Sequence, residues 1–350
     1  MAHENQNKPF LTTRSLTPEN QETPIEFLRS ELIPSKYFFR RNHFLYPKLV
    51  TQNFILPITG KVINPFTFYY QHLLNMTPTT ITGLLECAGN KRSKFEPKVF
   101  GEQWEEGAIS QGQWRGVALR DLLAITGLLD TAKEVLFEGY DYGTHEGTEK
   151  NVRYARSLPI EKALHLDTII AYEYNGRPLT YKHGFPLRLF VPGWYGMASV
   201  KWLKKITVID YHFKGPFQAN DYVYYPKDNS PSFPVTTVNV NSIIQNPLDL
   251  AILTTGNHTI EGLAWSGEGI ITKVEISFDG QNWVDTLLTK RHEENYTWSQ
   301  WHFHWNATEG EHTILCRATD SKGRSQPTEP MWNKKGYGYN AISKARVKVK

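Results

Sequence analysis

The chain has 350 residues, two cysteines, 20 prolines, 25 glycines and a formal charge of +4. Its length suits about two domains, each able to bury a core, and 40% hydrophobic against 21% charged residues excludes a disordered chain. Two cysteines exclude a disulfide scaffold, and the lack of any CxxC or CxxxC pair excludes a cysteine-based zinc finger. The slight basic excess is too weak to point to nucleic acid, although it leaves room for a positively lined cleft. Aromatic content of 13%, with ten tryptophans, leans the chain toward strands.

Residues 1–24 are polar, with Pro9, Pro18 and Pro24 and no periodicity, and read as an extended arm over the body. They hold no apolar leader segment, and no run of about 18 apolar residues occurs anywhere, so the expectation is a cytoplasmic protein that does not enter the membrane. Residues 25–228 read as one domain. Ala118–Ile125, ended by Gly127, has leucines at helical spacing, while Lys133–Gly139, Thr168–Tyr174 and Leu187–Val191 read as strands. Strands and helices do not alternate regularly, which argues against a doubly wound parallel sheet.

The turn-rich stretch Tyr225–Pro234 is the natural domain boundary. Beyond it, residues 235–350 carry short strand-like runs at Thr259–Trp265, Thr272–Phe278, Trp283–Thr289, Trp298–Trp305 and Thr313–Thr319. Turn signals separate them, including Asp279-Gly280, a tight hairpin signal. This spacing predicts an immunoglobulin-like β-sandwich. The expected architecture is α+β and β-rich, a mixed α/β domain followed by the sandwich.

Chemistry concentrates at a few places. Cys87 lies in Glu86-Cys87-Ala88-Gly89-Asn90-Lys91-Arg92, where an apolar run gives way to glycine and two cations. Nearby positive charge biases such a thiol toward the thiolate, a nucleophile and soft-metal ligand, whereas an inert buried cysteine is the plainer alternative. Cys316, inside an alternating run, reads as core. Arg40-Arg41-Asn42-His43, His183-Gly184-Phe185-Pro186-Leu187-Arg188 and Ser199-Val200-Lys201-Trp202 set cations and imidazoles beside turn residues, as a phosphate-bearing ligand requires. His302 and His304 share a strand face, which suits surface contacts better than a metal. Glu102–Glu106 reads as a solvated loop, with Trp104 out of place in it. Gly139–Gly143 lacks the third glycine of a dinucleotide loop, and no GxSxG or HExxH occurs.

Together, Glu86–Asn90, His183–Arg188, Ser199–Trp202, Tyr172–Leu179 and Met331–Gly336 make the chain resemble the sulfite oxidase family of molybdenum enzymes, from about Leu16 onward. The resemblance implies a molybdopterin cofactor whose metal is ligated by Cys87. It assigns cofactor contacts to Arg41, Asn42, His43, Asp141, His183, Arg188, Ser199, Val200 and Lys201. Tyr154, Arg92, Arg41 and Trp104 correspond to active-site positions, with Tyr154 donating a hydrogen bond at the reacting centre. The implied reaction is oxidation of sulfite to sulfate by oxygen-atom transfer, with electrons passed to an external acceptor such as a cytochrome. Alternatives are a related enzyme for another oxyanion or an S-oxide, a Cys–His acyl-transfer enzyme and a non-catalytic sandwich binding protein. No haem or flavin module is expected, and the family pattern implies a homodimer through the sandwich. Relatives with a further arginine in a tryptophan-rich strand of the second domain have no counterpart in Thr297–Trp301, which predicts a less positive substrate pocket.

Overall fold

The computed structural model describes residues 10–146, 150–228, 230–289 and 295–350. In the described part of the arm, β1 (Thr12–Leu16) pairs antiparallel with β2 (Glu19–Glu22), while residues 1–9 lie outside the described residues. The chain continues through β3 (Ile55–Gly60), β4 (Phe66–Tyr69), α1 (Tyr70–Asn75), β5 (Thr79–Glu86) and β6 (Ile109–Ala118). Then come α2 (Leu119–Thr126), β7 (Glu134–Thr144), β8 (Asn151–Pro159), α3 (Ile160–Ala163), β9 (Ile169–Tyr174), β10 (Arg177–Pro178), β11 (Arg188–Phe190) and β12 (Leu203–Ile209).

Two five-stranded sheets result, the first antiparallel and the second mixed. One has the order β10-β9-β6-β5 with β11 also on β9, and the other runs β4-β3-β12-β7-β8. Only the β12–β3 pair is parallel in these two sheets, so the doubly wound alternative fails as the sequence indicated. Helix α2 buries Leu119, Leu122 and Leu123 and stops at Gly127, whose φ of 65° is a conformation that glycine adopts freely. At Gly112 the Tyr174 ring crosses the strand so closely that a Cβ would lie 2.1 Å from it.

Short strands β13 (Val223–Tyr224) and β14 (Phe233–Pro234) pair across the turn-rich stretch. The second half is a sandwich of β15 (Asn241–Asn246), β16 (Ala251–Leu253), β17 (Gly256–Trp265), β18 (Ile271–Ser277), β19 (Val284–Asp285), β20 (Leu287–Leu288), β21 (Ser299–Ala307), β22 (Gly310–Asp320) and β23 (Ser343–Val349). Its sheets have the orders β15-β17-β21-β20 and β16-β23-β22-β18-β19. β23 shows the period of two directly: Ser343, Ala345, Val347 and Val349 point inward, while Lys344, Arg346 and Lys348 face solvent.

Two details differ from the sequence reading. Trp283–Thr289 is broken into β19 and β20, which join different sheets. Asp279-Gly280 does not make a two-residue turn, because β18 and β19 pair only as far as Ile276 and Val284. Asp279 instead accepts backbone N–H groups of Gln281 and Asn282, which organises a wider connection. The two halves share one apolar core: Ile243, Leu263, Trp265 and Trp298 of the sandwich pack in a cluster with Leu84, Ala88, Leu187 and Tyr195. That continuity matters for the site, which lies beside it.

Candidate functional site

A cavity of about 690 Å³, part of it open to solvent, lies between the two sheets of the first half. It is lined by Arg41, Asn42, His43, Cys87, Asp141, Tyr154, His183, Arg188, Ser199 and Lys201, so segments scattered over most of the first 201 residues meet at one place. Cys87 directly follows β5, Asp141 comes from β7, Tyr154 from β8 and Arg188 from β11. His183 ends a 3₁₀ turn closed by Gly184 at φ 107°, and Ser199 and Lys201 lie in the loop before β12.

Each polar wall is held by defined partners. Arg188 donates from Nη1 to His183 O at 3.0 Å and from Nη2 to Ser199 O at 3.1 Å, and its guanidinium lies over Trp114. Ser199 Oγ accepts the Val191 N–H at 3.0 Å. Lys201 Nζ donates to Arg41 O at 3.1 Å and to Asn42 Oδ1. His183 Nδ1 is 2.6 Å from Thr180 Oγ1. Burial pulls His183 down to about 3, with Lys201 and Arg188 adding repulsion, so its imidazole is neutral at physiological pH. Burial also pushes the Asp141 carboxyl up and the Lys201 ammonium down, while each charge offsets the shift of the other.

Cys87 is buried, and desolvation raises its thiol pKa despite the opposing pull of Arg41 and Arg92. The thiolate bias read from neighbouring cations is therefore corrected: without a metal the low-dielectric surroundings outweigh the two cations. Tyr154 lines the cavity, with its hydroxyl donating to Met197 O at 2.7 Å. Val200, Trp104 and Arg92 do not line the cavity. Val200 is core, and Trp104 is fully buried rather than part of a solvated loop. Arg92 donates to Glu102 O and Lys335 O and lies over the Tyr337 ring. It fits only because residue 89 is glycine, where a Cβ would lie 2.5 Å from its guanidinium.

Two lining residues that escaped sequence reasoning are Tyr222 and Lys182. Tyr222, after the last first-half strand, places its hydroxyl 2.7 Å from His43 Nε2. Lys182 and Arg40 form ion pairs with Glu19 of the arm, and Asn20 Oδ1 accepts the backbone N–H of Asn42 at 2.7 Å. The arm thus fastens the Arg41–His43 segment, a role that its polar, unpatterned sequence does not signal. Asn333–Tyr339 is one of the second-half segments at the cysteine loop. Gly338 N donates to Ala88 O, and Lys335 lies beside Arg92 with its Nζ 3.6 Å from Asp221. Thr297–Trp301 packs on β6, where Trp298 N donates to Gln111 Oε1, and Lys335 does not line the cavity. His302 and His304 stand with ring centroids 5.4 Å apart, and among the described residues no group of three or more His, Cys, Asp or Glu side chains is arranged to hold a metal ion by itself.

The cavity fits an anionic, hydrogen-bonding cofactor that brings ligands of its own. Asp141 Oδ1 and Arg188 Nε are buried without hydrogen-bond partners, and among the described residues Arg188 has no ion pair. Unpaired buried polar groups at a cavity wall are the complement of a polar ligand. A single thiol, Cys87, supplies a soft ligand to a metal whose other ligands the cofactor would carry.

Comparisons with known proteins agree with this chemistry. Residues 43–217 match the family model described as oxidoreductase molybdopterin binding domain, and residues 232–350 match that of the Mo-co oxidoreductase dimerisation domain. The chain is 34% identical to mitochondrial sulfite oxidase of Mus musculus over 97% of its own length and 66% of that protein. It is 31% identical to sulfite oxidase of Arabidopsis thaliana, covering 94% of this chain and 91% of the relative. Among solved structures, the sulfane dehydrogenase SoxCD of Paracoccus pantotrophus superposes with a TM-score of 0.85 at 27% identity, covering 99% of this chain and 92% of that one. The chain therefore spans about two thirds of the animal relative and nearly all of the plant one. On its fold, its two matched domains and these identities, the chain belongs to the sulfite oxidase family of molybdopterin-binding oxidoreductases.

Proposed function

We propose that the chain oxidises sulfite to sulfate and passes the two electrons to a separate acceptor. The observation that supports this most directly is the convergence of one buried thiol, Cys87, with Arg41, Lys182, Arg188 and Lys201 around a single cavity. Sulfite and water become sulfate, two protons and two electrons, so the site needs an oxygen source, an electron store and a means to hold a dianion. Molybdopterin with its molybdenum, when bound, supplies oxygen-atom transfer and the two-electron store.

The chain's own residues divide the remaining work. Cys87 Sγ would ligate the metal as a thiolate. His183, Arg188, Ser199, Lys201, Asn42 and Asp141 would hold the pterin and its phosphate, with Val200 supplying main chain between two of them. Arg41 is the cation on the Cys87 side of the cavity and would orient the anion. Arg92, fixed by two carbonyls, contributes charge from behind the wall, with Trp104 packed in the core cluster that contains Cys87. Tyr222, rather than Tyr154, has a hydroxyl placed to reach the anion through the His43 side of the cavity.

The matched dimerisation domain supports a homodimer formed through residues 232–350. Protein purified from a host that makes molybdopterin should carry about one molybdenum per chain, consistent with a single thiol ligand. It should reduce ferricyanide with sulfite in preference to nitrate turnover or methionine sulfoxide reduction. A metal-free chain from such a host, or sulfite turnover no faster than the other substrates, would sink the reading.

A further inference from the structure

Four of the seven residues Glu86–Arg92 are hydrogen-bonded to the second half of the chain. Trp265 Nε1 donates to Glu86 Oε2 at 2.9 Å, and Gly338 N donates to Ala88 O at 2.8 Å. The Lys91 ammonium donates to Asn241 Oδ1 and Ser242 O, both at 2.6 Å, and to Ser343 Oγ at 3.3 Å. Arg92 Nε donates to Lys335 O at 3.1 Å. Glu86 and Lys91, which bracket Cys87, are each 1% exposed.

The contacts are directional. All three protons of the Lys91 ammonium are used, on two sandwich strands, β15 and β23, at once. Lys91 gets there with φ at 63°, a left-handed conformation that a lysine holds only when its surroundings demand it. On the other side, the Glu86 carboxylate takes Trp265 on one oxygen and Asn90 Nδ2 on the other, and Asn90 Oδ1 accepts the Ala108 N–H. The loop that carries Cys87 is therefore closed on itself through Asn90 and anchored outside itself through Trp265 and Lys91. Burying an ammonium is a poor route to stability as such, because desolvation offsets most of the gain; what it supplies is a unique arrangement.

We propose that Lys91 and Trp265 are positioning residues that set the placement of the Cys87 sulfur, so that the sandwich forms part of the metal site as well as a pairing surface. The metal-dependent arm of the test rests on the functional reading above; the thiol arm does not.

Three full-length variants test this: Lys91→Met, Trp265→Phe, and Val274→Ala as a control in the sandwich core away from the loop. In cofactor-free protein, the rate at which iodoacetamide alkylates Cys87 is followed by peptide mass spectrometry well below the unfolding temperature. Loss of one buried hydrogen-bond partner should raise it about tenfold through local opening of the loop. In cofactor-loaded protein, the electron paramagnetic resonance signal of the partly reduced metal should shift in Lys91→Met and Trp265→Phe. Val274→Ala should lower the melting temperature and leave both readouts at wild-type values. If Lys91→Met does not fold, Trp265→Phe decides. Wild-type alkylation and spectrum in Trp265→Phe, or equal changes in Val274→Ala, would overturn the proposal. Should the purified chain hold no metal, the alkylation arm still decides, and only the functional reading fails.

Discussion

The Tyr222 hydroxyl lies 2.7 Å from His43 Nε2, and Arg41 Nη2 lies 3.3 Å from Nδ1 and 3.4 Å from Nε2 of the same imidazole. Burial, then the Arg41 charge, holds the His43 pKa well below its ordinary value, so a neutral ring links a tyrosine to an arginine. Tyr222→Phe should lower kcat by about 10²-fold, the usual effect of deleting one preorganised donor, with a smaller change in KM. Tyr154→Phe, which removes only a bond to Met197 O, should cost about 1 kcal/mol of stability and affect turnover less. Steady-state kinetics with sulfite and ferricyanide, alongside thermal unfolding, separate the two. Equal kcat losses would contradict the assignment.

Cys87→Ser replaces a soft ligand by a hard one. Sulfite turnover should vanish and the thiolate-to-metal absorption should be lost, while pterin content, read from the fluorescence of the released and oxidised cofactor, stays near one per chain because its other contacts remain. Loss of the pterin as well would mean that Cys87 does more than ligate metal.

Asn20→Ala removes the acceptor for the buried Asn42 N–H. An orphaned backbone donor costs about 1–3 kcal/mol, so the melting temperature should drop and the cofactor should dissociate faster on dilution. An unchanged melting temperature would show that the arm hairpin does not secure the cavity wall.

His183 has a folded pKa of about 3, below its ordinary value because of burial. The unfolded chain then binds a proton that the folded chain refuses. Its contribution to stability is whole above the unfolded value, roughly pH 6.5, and is lost progressively as pH falls toward about 3. Denaturant unfolding of the cofactor-free chain at pH 7.5, 6 and 5 should show that decline, and His183→Gln should make it shallower, leaving the part carried by His43, whose pKa burial also holds low. A variant slope as steep as wild type would locate the pH dependence elsewhere.

Gly89→Ala would put a Cβ 2.5 Å from the Arg92 guanidinium. Arg92 must shift away from its two carbonyl partners, which should raise the KM for sulfite several-fold and leave molybdenum content intact. An unaltered KM would place Arg92 outside substrate binding.

Local chemistry made part of the site readable in one dimension. Cys87, His183, Arg188 and Lys201 stood out because thiol, imidazole and cations beside glycine or proline are unusual in an apolar context, and all four line the cavity. Tyr222 and Lys182 did not stand out, since a tyrosine or a surface-like lysine in a turn-rich stretch carries no pattern. Glu19 and Asn20 were hidden for the same reason: their partners, Arg40 and Asn42, lie about twenty positions along the chain, and a hydrogen bond at that range leaves no periodic trace.

The alternation of Thr313–Thr319 is sufficient to place Cys316 in a sandwich core, and short runs between turn signals to read the second half as strands, because side-chain period and burial are local properties. The ionisation of Cys87 is not local. Its neighbours in sequence, Lys91 and Arg92, suggest an activated thiol, yet Lys91 turns its charge into the sandwich and Arg92 gives its donors to backbone carbonyls. Only the folded chain decides which charges face the sulfur and how much water remains around it, since both depend on contacts between residues more than a hundred positions apart.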